Sequence, residues 1–270
     1  KLKSSNTGVY FGCGSHDYAN HLNSHYKTDV SAYYGTGNSS SIMSGRISYF
    51  FDFHGPAVTL DTSCSSSLVA VHQACQALRS KQCSMAVAGG VNAILTPDVM
   101  ITFCKANMLS SDGLSKTFDA NANGYVRGEG VGVLILKRLD DALKDNDNIL
   151  ALIVADGINH DGKSSGLTSP NGEIQAKLIE QTLKKFSIKP QSISYIEAHG
   201  TGTPLGDPIE INALNKVFAK THTKEKPLYI GSVKTNIGHL EAGAGISAMI
   251  KVILSMQNKI FPAHLNMNEI

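Results

Sequence analysis

The sequence predicts an α/β protein in which strands and helices alternate along the chain. Short apolar runs bounded by Gly or Pro recur, and runs of this kind are typical of strands buried on both faces. The segments between them carry apolar residues at helical spacing. This alternation favours layers of helices and sheet joined by right-handed crossovers. At 270 residues, the chain is near the upper size for one hydrophobic core, so we expect one large domain or two fused halves.

In the first half, four apolar runs predict strands at residues 9–11, 57–60, 85–88 and 131–136. Between the second and third strands, four apolar residues recur at intervals of three or four: Leu68, Val71, Cys75 and Leu78. This spacing predicts a helix that buries these side chains on one face.

The second half repeats the pattern. Strands are predicted at residues 150–155, 195–198 and 229–233, and helices at about 173–186, 208–219 and 242–257. Asn171 and Gly172 are typical of the start of the first helix, and Pro208 suits the first turn of the next. A polar segment at residues 144–148 separates the halves, which predicts parts at 1–143 and 149–270.

Composition excludes several classes of protein. The 24 Lys and Arg residues against 22 Asp and Glu give a net charge of +2, so there is no electrostatic reason to expect a nucleic acid or an anionic membrane as partner. The longest clean apolar run, residues 131–136, is too short for a membrane span. The first residues contain no apolar signal-peptide core and no initial Met, and the chain is interpreted as a piece of something longer.

The five cysteines are Cys13, Cys64, Cys75, Cys83 and Cys104. None forms a C-x-x-C pair, so a zinc ribbon or a thioredoxin motif is not expected. An odd number of cysteines in a chain of this length does not require a disulfide framework, and a reducing cytoplasm is the expected location. Cys75, Cys83 and Cys104 have apolar neighbours in the sequence and are expected to be buried and inert.

Residues 157–164 (GINHDGKS) match the P-loop pattern G-x-x-x-x-G-K-[ST], and a predicted strand precedes them. A P-loop requires a helix that begins at the Lys-Ser pair, so that its amides face the phosphates. Pro170 prevents a regular helix through the segment that follows. We therefore interpret the segment as a glycine-rich loop.

Three other patterns also fail a physical test. Residues 119–130 begin like a calcium loop but carry glycine where the bidentate carboxylate belongs. Residues 200–206 have their third glycine one position late for a dinucleotide fingerprint. His16, His21 and His25 have no carboxylate partner in the pattern and are interpreted as a solvated polar face. No metal site is therefore expected.

Cys64 has a different environment from the other cysteines. The predicted strand at 57–60 leads into a turn, and Ser65, Ser66 and Ser67 open the predicted helix. Cys64 is thus expected at a helix N-terminus, where unpaired amides and the helix dipole favour a thiolate. On position alone, a nucleophile and a structural cysteine are equally supported.

Two histidines are predicted to share a second environment. His199 follows the strand at 195–198, and His239 comes shortly after the strand at 229–233. Ligand sites of open α/β sheets form at the carboxyl ends of strands. Two histidines at equivalent strand ends, together with a cysteine at a helix start, therefore favour one convergent site.

Three segments together resemble the active-site motifs of β-ketoacyl synthases, in that family's order: residues 61–68 (DTSCSSSL), 197–203 (EAHGTGT) and 234–239 (KTNIGH). Four further segments agree with the family: 45–49 (GRISY), 88–92 (AGGVN), 116–119 (KTFD) and 124–130 (GYVRGEG). Residues 159–163 and 167–172 are similar to the modular polyketide type. The resemblance covers nearly the whole chain and identifies the P-loop lookalike as a connecting loop.

The resemblance implies a thiolase fold of two related βαβαβ halves in layers, incomplete here at both ends and dimeric in the family. It implies that Cys64 accepts an acyl chain from the phosphopantetheine thiol of an acyl carrier protein. His199 and His239 would stabilise the enolate formed when a malonyl-type extender loses carbon dioxide. The product is a lengthened chain in polyketide or fatty-acid synthesis.

The resemblance also implies supporting roles. Lys234 and Glu129 match positions that form a charged network behind the histidines in the family, and a structural ion pair is an equally supported interpretation. Thr201 and Thr203 would line the pantetheine arm. The domain itself is expected to bind no cofactor, because phosphopantetheine is carried by the partner acyl carrier protein.

The main alternative is a non-elongating ketosynthase-like subunit that only docks a carrier protein or dimerises, although the intact Cys-His-His set argues against it. A nucleotide-binding module is a distant third possibility. The family's first strand and helix, and everything after residues 262–266, are absent from the chain. Acyl and malonyl-type thioesters, flanking synthase modules and a second copy of the chain are the expected partners.

Overall fold

A computed structural model describes residues 2–25 and 30–269 of the protein, with the side chain of residue 25 left out. The chain groups into two compact units, each made of three segments. Unit 1 comprises Lys1–Phe103, Arg127–Leu152 and Leu240–Ile253, and unit 2 comprises Cys104–Val126, Ile153–His239 and Leu254–Ile270. Within the described part of the chain, no helix combines the length and the apolar composition needed to cross a lipid bilayer.

Unit 1 contains a four-stranded sheet. Its strands are β1 (Thr7–Gly12), β2 (Ala57–Leu60), β3 (Met85–Asn92) and β4 (Gly130–Lys137), in the order β2-β1-β3-β4. β1 pairs in parallel with β2 and β3 and is buried along its whole length, while β4 is antiparallel to β3. All four predicted strands of the first half are confirmed, and β3 continues four residues further than expected.

The prediction that these strands are buried on both faces is wrong for β2, which has no buried residue, and for β4. Val131, Val133 and Ile135 are exposed, because β4 is the outer strand of this sheet and only its other face packs against a helix. That helix is α10 (Ala244–Asn258). A Cβ atom at Gly132 would lie 2.7 Å from Cγ2 of Ile246, so the glycine lets α10 approach the strand.

The remaining helices of unit 1 are α1 (Asp17–His25), α2 (Tyr34–Asn38), α3 (Ser40–Phe51), α4 (Ser66–Arg79), α5 (Asp98–Lys105) and α6 (Leu139–Lys144). Helix α4 is the one predicted from apolar spacing, and its residues Val71, Cys75 and Leu78 are buried as expected. Leu68, by contrast, is 46% exposed.

A serine occupies the place that Leu68 was expected to fill. Ser67 is fully buried, and its hydroxyl accepts a hydrogen bond from the Ile246 N–H at 3.0 Å. A Cβ atom at Gly90 would lie 2.5 Å from the Ser67 Cβ. Because β3 and α10 come this close to the start of α4, only a small side chain fits on its buried face there.

The cysteines divide differently from the prediction. Cys75 and Cys83 are buried as expected, but Cys104 is exposed. Cys104 lies near the end of α5, a helix that buries none of its residues. Apolar neighbours in the sequence therefore did not indicate burial here. The side chain of His25 lies outside the described residues, so the expected polar face that includes it stays a prediction.

Unit 2 contains two parallel strands, β5 (Tyr195–Glu197) and β6 (Tyr229–Gly231). Its helices are α7 (Gly172–Lys185), α8 (Gly206–Phe218) and α9 (Lys234–Ile237). The core of unit 2 contains the buried side chains Leu183, Leu214 and Phe218. The Asn171 side chain accepts a hydrogen bond from the Ile174 N–H at 3.4 Å and caps α7, which confirms the predicted start of this helix.

The predicted strand at residues 150–155 is wrong: in the described structure this run belongs to no strand. Leu150, Leu152 and Val154 are exposed. A short continuous apolar run favours a strand, but a strand forms only where a second strand supplies the hydrogen-bonding ladder. Residues 157–171 form no helix either, which agrees with their interpretation as a loop.

Candidate active site

Cys64 lies in a short turn that joins β2 to α4. A 3₁₀ turn over Ser63–Ser65 follows the strand, and α4 begins at Ser66. Cys64 is partly buried. The residue before it, Ser63, has a φ of +57°, in the left-handed region that residues other than glycine seldom adopt. The structure therefore places Cys64 at the helix start that the sequence predicts.

Hydrogen bonds between side chains and backbone fix this turn. The Ser63 N–H donates to Asp61 Oδ1 at 2.9 Å, and the Thr62 N–H donates to Ser66 Oγ at 2.9 Å. The Ser66 hydroxyl in turn donates to the Ser63 carbonyl at 2.6 Å. A Cβ atom at Gly12 of β1 would lie 2.6 Å from the Ser67 nitrogen, so the strand supports the first turn of α4 directly. The position of the thiol is thus set by a rigid local network.

The structure brings the two predicted histidines together in unit 2. His199 comes two residues after the end of β5, and His239 follows α9, which itself follows β6. The ring centroids are 5.4 Å apart, and the ring planes are inclined at 86°. Because β5 and β6 are parallel, their carboxyl ends meet at one edge of the sheet and deliver both rings to the same place.

His239 is enclosed by protein, with 1% of its surface exposed. Desolvation by burial, the Lys234 cation and His199 lower the pKa of His239 to about 2. The imidazole is therefore neutral at pH 7 and carries one N–H donor.

His199 differs from His239 in exposure. The residue as a whole is exposed, while desolvation of its ring by the surrounding protein and then the Lys234 cation lower its pKa from 6.5 to about 3. Both rings are nevertheless expected to be neutral at pH 7.

Two acidic residues that sequence reasoning missed hold the His199 loop. The backbone N–H groups of His199 and Gly200 donate to the two carboxylate oxygens of Glu210, at 2.7 and 2.8 Å respectively. The Gly202 N–H donates to Asp207 Oδ1 at 3.1 Å. Burial raises the pKa of both carboxyl groups. Their spacing of three residues at the start of α8, directly after the loop, was the available sequence signal.

A different set of contacts holds His239. The backbone N–H of His239 donates to the Val126 carbonyl at 2.7 Å. The buried Tyr125 ring lies edge-on to the imidazole, with the centroids 5.2 Å apart. Tyr125 and Val126 belong to the segment at 124–130. The sequence indicated this segment by its resemblance to the family but did not predict its contact with His239.

The expected supporting residues have distinct surroundings. Lys234, in α9 of unit 2, is buried, and its charge acts on both imidazoles. Glu129, in unit 1, is exposed, and its carboxylate accepts the Ile94 N–H at 2.6 Å. A network that joins Lys234 to Glu129 stays a prediction.

The two threonines of the His199 loop are engaged in local contacts. Their hydroxyl oxygens lie 3.4 Å apart, and the Thr203 oxygen accepts the Gly206 N–H at 3.1 Å at the start of α8. Thr201 is buried. Contact of Thr201 and Thr203 with a pantetheine arm stays a prediction.

The sequence matches one protein family in two consecutive parts. Residues 1–142 match the family described as "Beta-ketoacyl synthase, N-terminal domain", and residues 150–268 match "Beta-ketoacyl synthase, C-terminal domain". The division into structural halves at 1–143 and 149–270 stays a prediction.

Similar proteins include multidomain synthases. The chain is 47% identical over its full length to a phenolphthiocerol/phthiocerol polyketide synthase of Mycobacterium tuberculosis, of which it spans 12%. It is 46% identical, over 98% of its length, to the highly reducing polyketide synthase cla2 of Cladosporium cladosporioides, of which it spans 11%. The chain therefore corresponds to about a tenth of these relatives.

A solved structure shows the same likeness. The ketosynthase from module 6 of the bacillaene synthase of Bacillus subtilis 168 is 46% identical and superposes with a TM-score of 0.92, over 99% of this chain and 46% of that one. Ketosynthase domains of polyketide synthases catalyse the Claisen condensation that extends the growing chain. Matched in both of its parts and superposable almost end to end on a solved member, the chain belongs to the β-ketoacyl synthase family and has its thiolase fold.

Proposed function

We propose that this chain is part of a ketosynthase that performs decarboxylative Claisen condensation in polyketide chain elongation. The observation that carries the proposal is the pair of imidazoles of His199 and His239, 5.4 Å apart and neutral at pH 7. Two neutral N–H donors at one place are suited to stabilise an oxygen atom that becomes negative during a reaction. Membership of the family supports the same chemistry.

The first step is acyl transfer to Cys64. The Cys64 thiolate attacks the carbonyl carbon of an acyl thioester and a new C–S bond forms. The bond from that carbon to the pantetheine sulfur breaks, and the departing pantetheine thiolate takes up the proton that the Cys64 thiol had lost. The position of Cys64 immediately before α4 supports this role, because the free amides of the first helical turn favour the thiolate.

The second step is decarboxylation of a malonyl-type thioester. The bond to the carboxylate breaks, carbon dioxide leaves, and the electron pair moves to the thioester oxygen as an enolate. The imidazole N–H groups of His199 and His239 donate to this oxygen. Removal of one preorganised donor of this kind costs about 3 kcal/mol, or roughly a hundredfold in rate.

In the third step, the enolate carbon attacks the carbonyl carbon of the acyl group on Cys64. A carbon–carbon bond forms, and the Cys64 thiolate leaves. The backbone N–H of Cys64 is proposed to donate to the oxyanion of this step, because it lies in the rigid turn before α4.

The proposed substrates and partners follow from this chemistry. An acyl carrier protein presents both thioesters on its own phosphopantetheine, whose arm passes Thr201 and Thr203, so the domain needs no bound cofactor. Lys234 and Glu129 are proposed to support the histidines. We further propose a polyketide rather than a fatty-acid pathway, a homodimer, flanking synthase modules and a cytoplasmic location, where a reducing environment keeps Cys64 out of disulfides. The intact Cys-His-His set supports condensation over a docking-only role.

Separate assays of loading and decarboxylation test the proposal. In the full-length protein that contains this segment, Cys64→Ala is expected to abolish acyl loading, as measured by intact mass spectrometry. His239→Gln is expected to keep loading and to lower decarboxylation of a malonyl carrier protein by about a hundredfold. Acyl loading that persists in the Cys64→Ala variant would overturn the assignment of the nucleophile, and an unchanged decarboxylation rate in His239→Gln would overturn that of the histidine.

A further inference from the structure

We propose that the ion pair between Arg127 and Glu241 positions His239 for decarboxylation, an inference that rests on the proposed function. The pair is bidentate: Arg127 Nε donates to Glu241 Oε1, and Arg127 Nη2 donates to Glu241 Oε2 at 3.0 Å. The Arg127 side chain is 2% exposed and the Glu241 side chain is 19% exposed. Two parallel hydrogen bonds between planar groups fix relative orientation as well as distance.

This pair lies beside the backbone contact of His239. The His239 N–H donates to the carbonyl of Val126, and the next residue along the chain is Arg127. Glu241 comes two residues after His239. The segments 125–127 and 239–241 are therefore joined by a backbone hydrogen bond and, immediately beyond it, by the ion pair. With the hydrogen bond alone, segment 239–241 could still rotate relative to segment 125–127, and the ion pair restricts this rotation.

The backbone of Glu241 shows why a restraint is needed at this point. Its φ is +47°, in the left-handed region, although it is not a glycine. Gly238, on the other side of His239, has a φ of +73°. The histidine thus lies between two left-handed residues, and the bidentate contact holds the second of them in a conformation that the isolated chain disfavours.

Arg127 is itself fixed on its other side. Its guanidinium carbon lies 5.5 Å from the centre of the Phe103 ring, within the range of a cation–π contact. An arginine held by an aromatic ring offers a fixed partner for Glu241. A lysine at position 127 would provide the charge without the planar pair of donors.

A positioning role and a purely structural role make different predictions. Replacing both members of a buried ion pair by apolar residues of similar size is often neutral for stability, because the desolvation of two charges is removed together with their attraction. The orientation of the His239 backbone, however, would be lost. A misplacement of about 1 Å at a reacting group lowers the rate by roughly a hundredfold.

The test compares two double variants of the full-length protein that contains this segment. The first is Arg127→Met/Glu241→Leu. The second, as a control, is Lys216→Met/Glu173→Leu, which removes an exposed ion pair between α7 and α8. Melting temperature, acyl loading on Cys64, and kcat and KM for decarboxylation of a malonyl carrier protein are measured for each.

We expect the first variant to fold and to load Cys64 normally, while kcat for decarboxylation falls about a hundredfold and KM stays within about twofold. The control variant is expected to have the same melting temperature, acyl loading, kcat and KM as the parent. A folded first variant whose kcat stays within about threefold of the parent would overturn the inference. Failure of the unsubstituted protein to load Cys64 would instead overturn the proposed function.

A charge exchange covers the case in which the apolar variant does not fold. The single variant Arg127→Glu is expected to be inactive, because it places two carboxylates together. The double variant Arg127→Glu/Glu241→Arg restores a bidentate pair in reversed order and is expected to regain at least about tenfold in kcat over the single variant. A folded double variant no faster than Arg127→Glu would contradict the inference.

Discussion

The two histidine loops are held by different means. In the His199 loop, residues 199–203, the restraints act on the backbone: Glu210 and Asp207 accept its N–H groups, and the Gly200 carbonyl accepts hydroxyl hydrogen bonds from Thr117 at 2.6 Å and Ser232 at 3.0 Å. In the His239 segment, residues 238–241, much of the restraint comes from side chains, through the edge-on Tyr125 ring and the ion pair of Glu241.

This difference separates two requirements of a reaction site. The His199 loop is fixed through its backbone, and His199 as a residue is exposed. A loop fixed through side-chain packing encloses its ring, and the buried His239 has a strongly lowered pKa. His199 is therefore the more exposed of the two residues, and His239 is the more enclosed.

The largest expected effect comes from crowding the backbone of the His199 loop. Gly200 has a φ of +40°, and a Cβ atom there would lie 2.6 Å from Thr117 Cγ2 and 2.9 Å from Ser232 Cβ. Strain and overpacking together predict that Gly200→Ala lowers the free energy of unfolding by about 3 kcal/mol, measured by urea unfolding.

Gly113→Ala is the matched control for this substitution. Gly113 has a φ of +74° but open space around the position of a Cβ atom. Only backbone strain is then introduced, and the expected cost is about 1 kcal/mol. Equal costs for the two variants would show that the backbone of the His199 loop is not tightly enclosed.

A smaller effect is expected from the pH dependence of stability. The folded state lowers the pKa of His239 from 6.5 to about 2, so the unfolded chain binds this proton first as the pH falls. The contribution of neutral His239 is therefore complete above pH 6.5 and is lost progressively below it. When the pH falls from 7.5 to 5.5, the free energy of unfolding of the parent is expected to decrease by about 1.4 kcal/mol more than that of His239→Gln. Urea unfolding at each pH measures this difference.

His199→Gln sharpens this comparison of the two rings. Because the folded state also lowers the pKa of His199, to about 3, its removal is expected to reduce the acid dependence of stability between pH 7.5 and 5.5 by a similar amount, about 1.4 kcal/mol. An acid dependence that is identical in the parent and in His239→Gln would contradict the enclosure of the His239 ring.

The smallest effect is expected at a hydrogen bond that has a substitute. Thr117 is fully buried, and its hydroxyl donates to the Gly200 carbonyl, which also accepts the Ser232 hydroxyl. Thr117→Val is therefore expected to cost only about 1 kcal/mol in the free energy of unfolding. Adding Ser232→Ala should cost more than the two single changes together, because the carbonyl then has neither hydroxyl donor. Strict additivity in this double-mutant cycle would contradict the redundancy.

The sequence predicted best those features that depend on local pattern. Helix α4 and the position of Cys64 before it follow from apolar spacing and from the turn residues that precede it. The closeness of His199 and His239 follows from two parallel strand ends. The thiolase fold was predicted from resemblance, because no local rule determines how β1 to β4 are ordered.

Features that depend on distant partners were not predicted. Residues 150–155 have the composition of a strand, but the sequence does not show whether a ladder partner is present. Glu210 acts on backbone amides of a loop, and its spacing from Asp207 at the start of α8 is the one sequence signal that separates it from a surface acid. Ser67 replaces Leu68 on the buried face of α4 only because β3 and α10 approach closely there.

The left-handed backbone of Ser63 limits how this protein can diversify. A residue with φ near +57° directly before the thiol excludes branched side chains and most bulky ones, since only glycine and a few short polar residues adopt that conformation readily. Position 63, the neighbour of the proposed nucleophile, therefore has little freedom to change. A substitution that alters the surroundings of Cys64 without distorting this turn has to occur elsewhere in the chain.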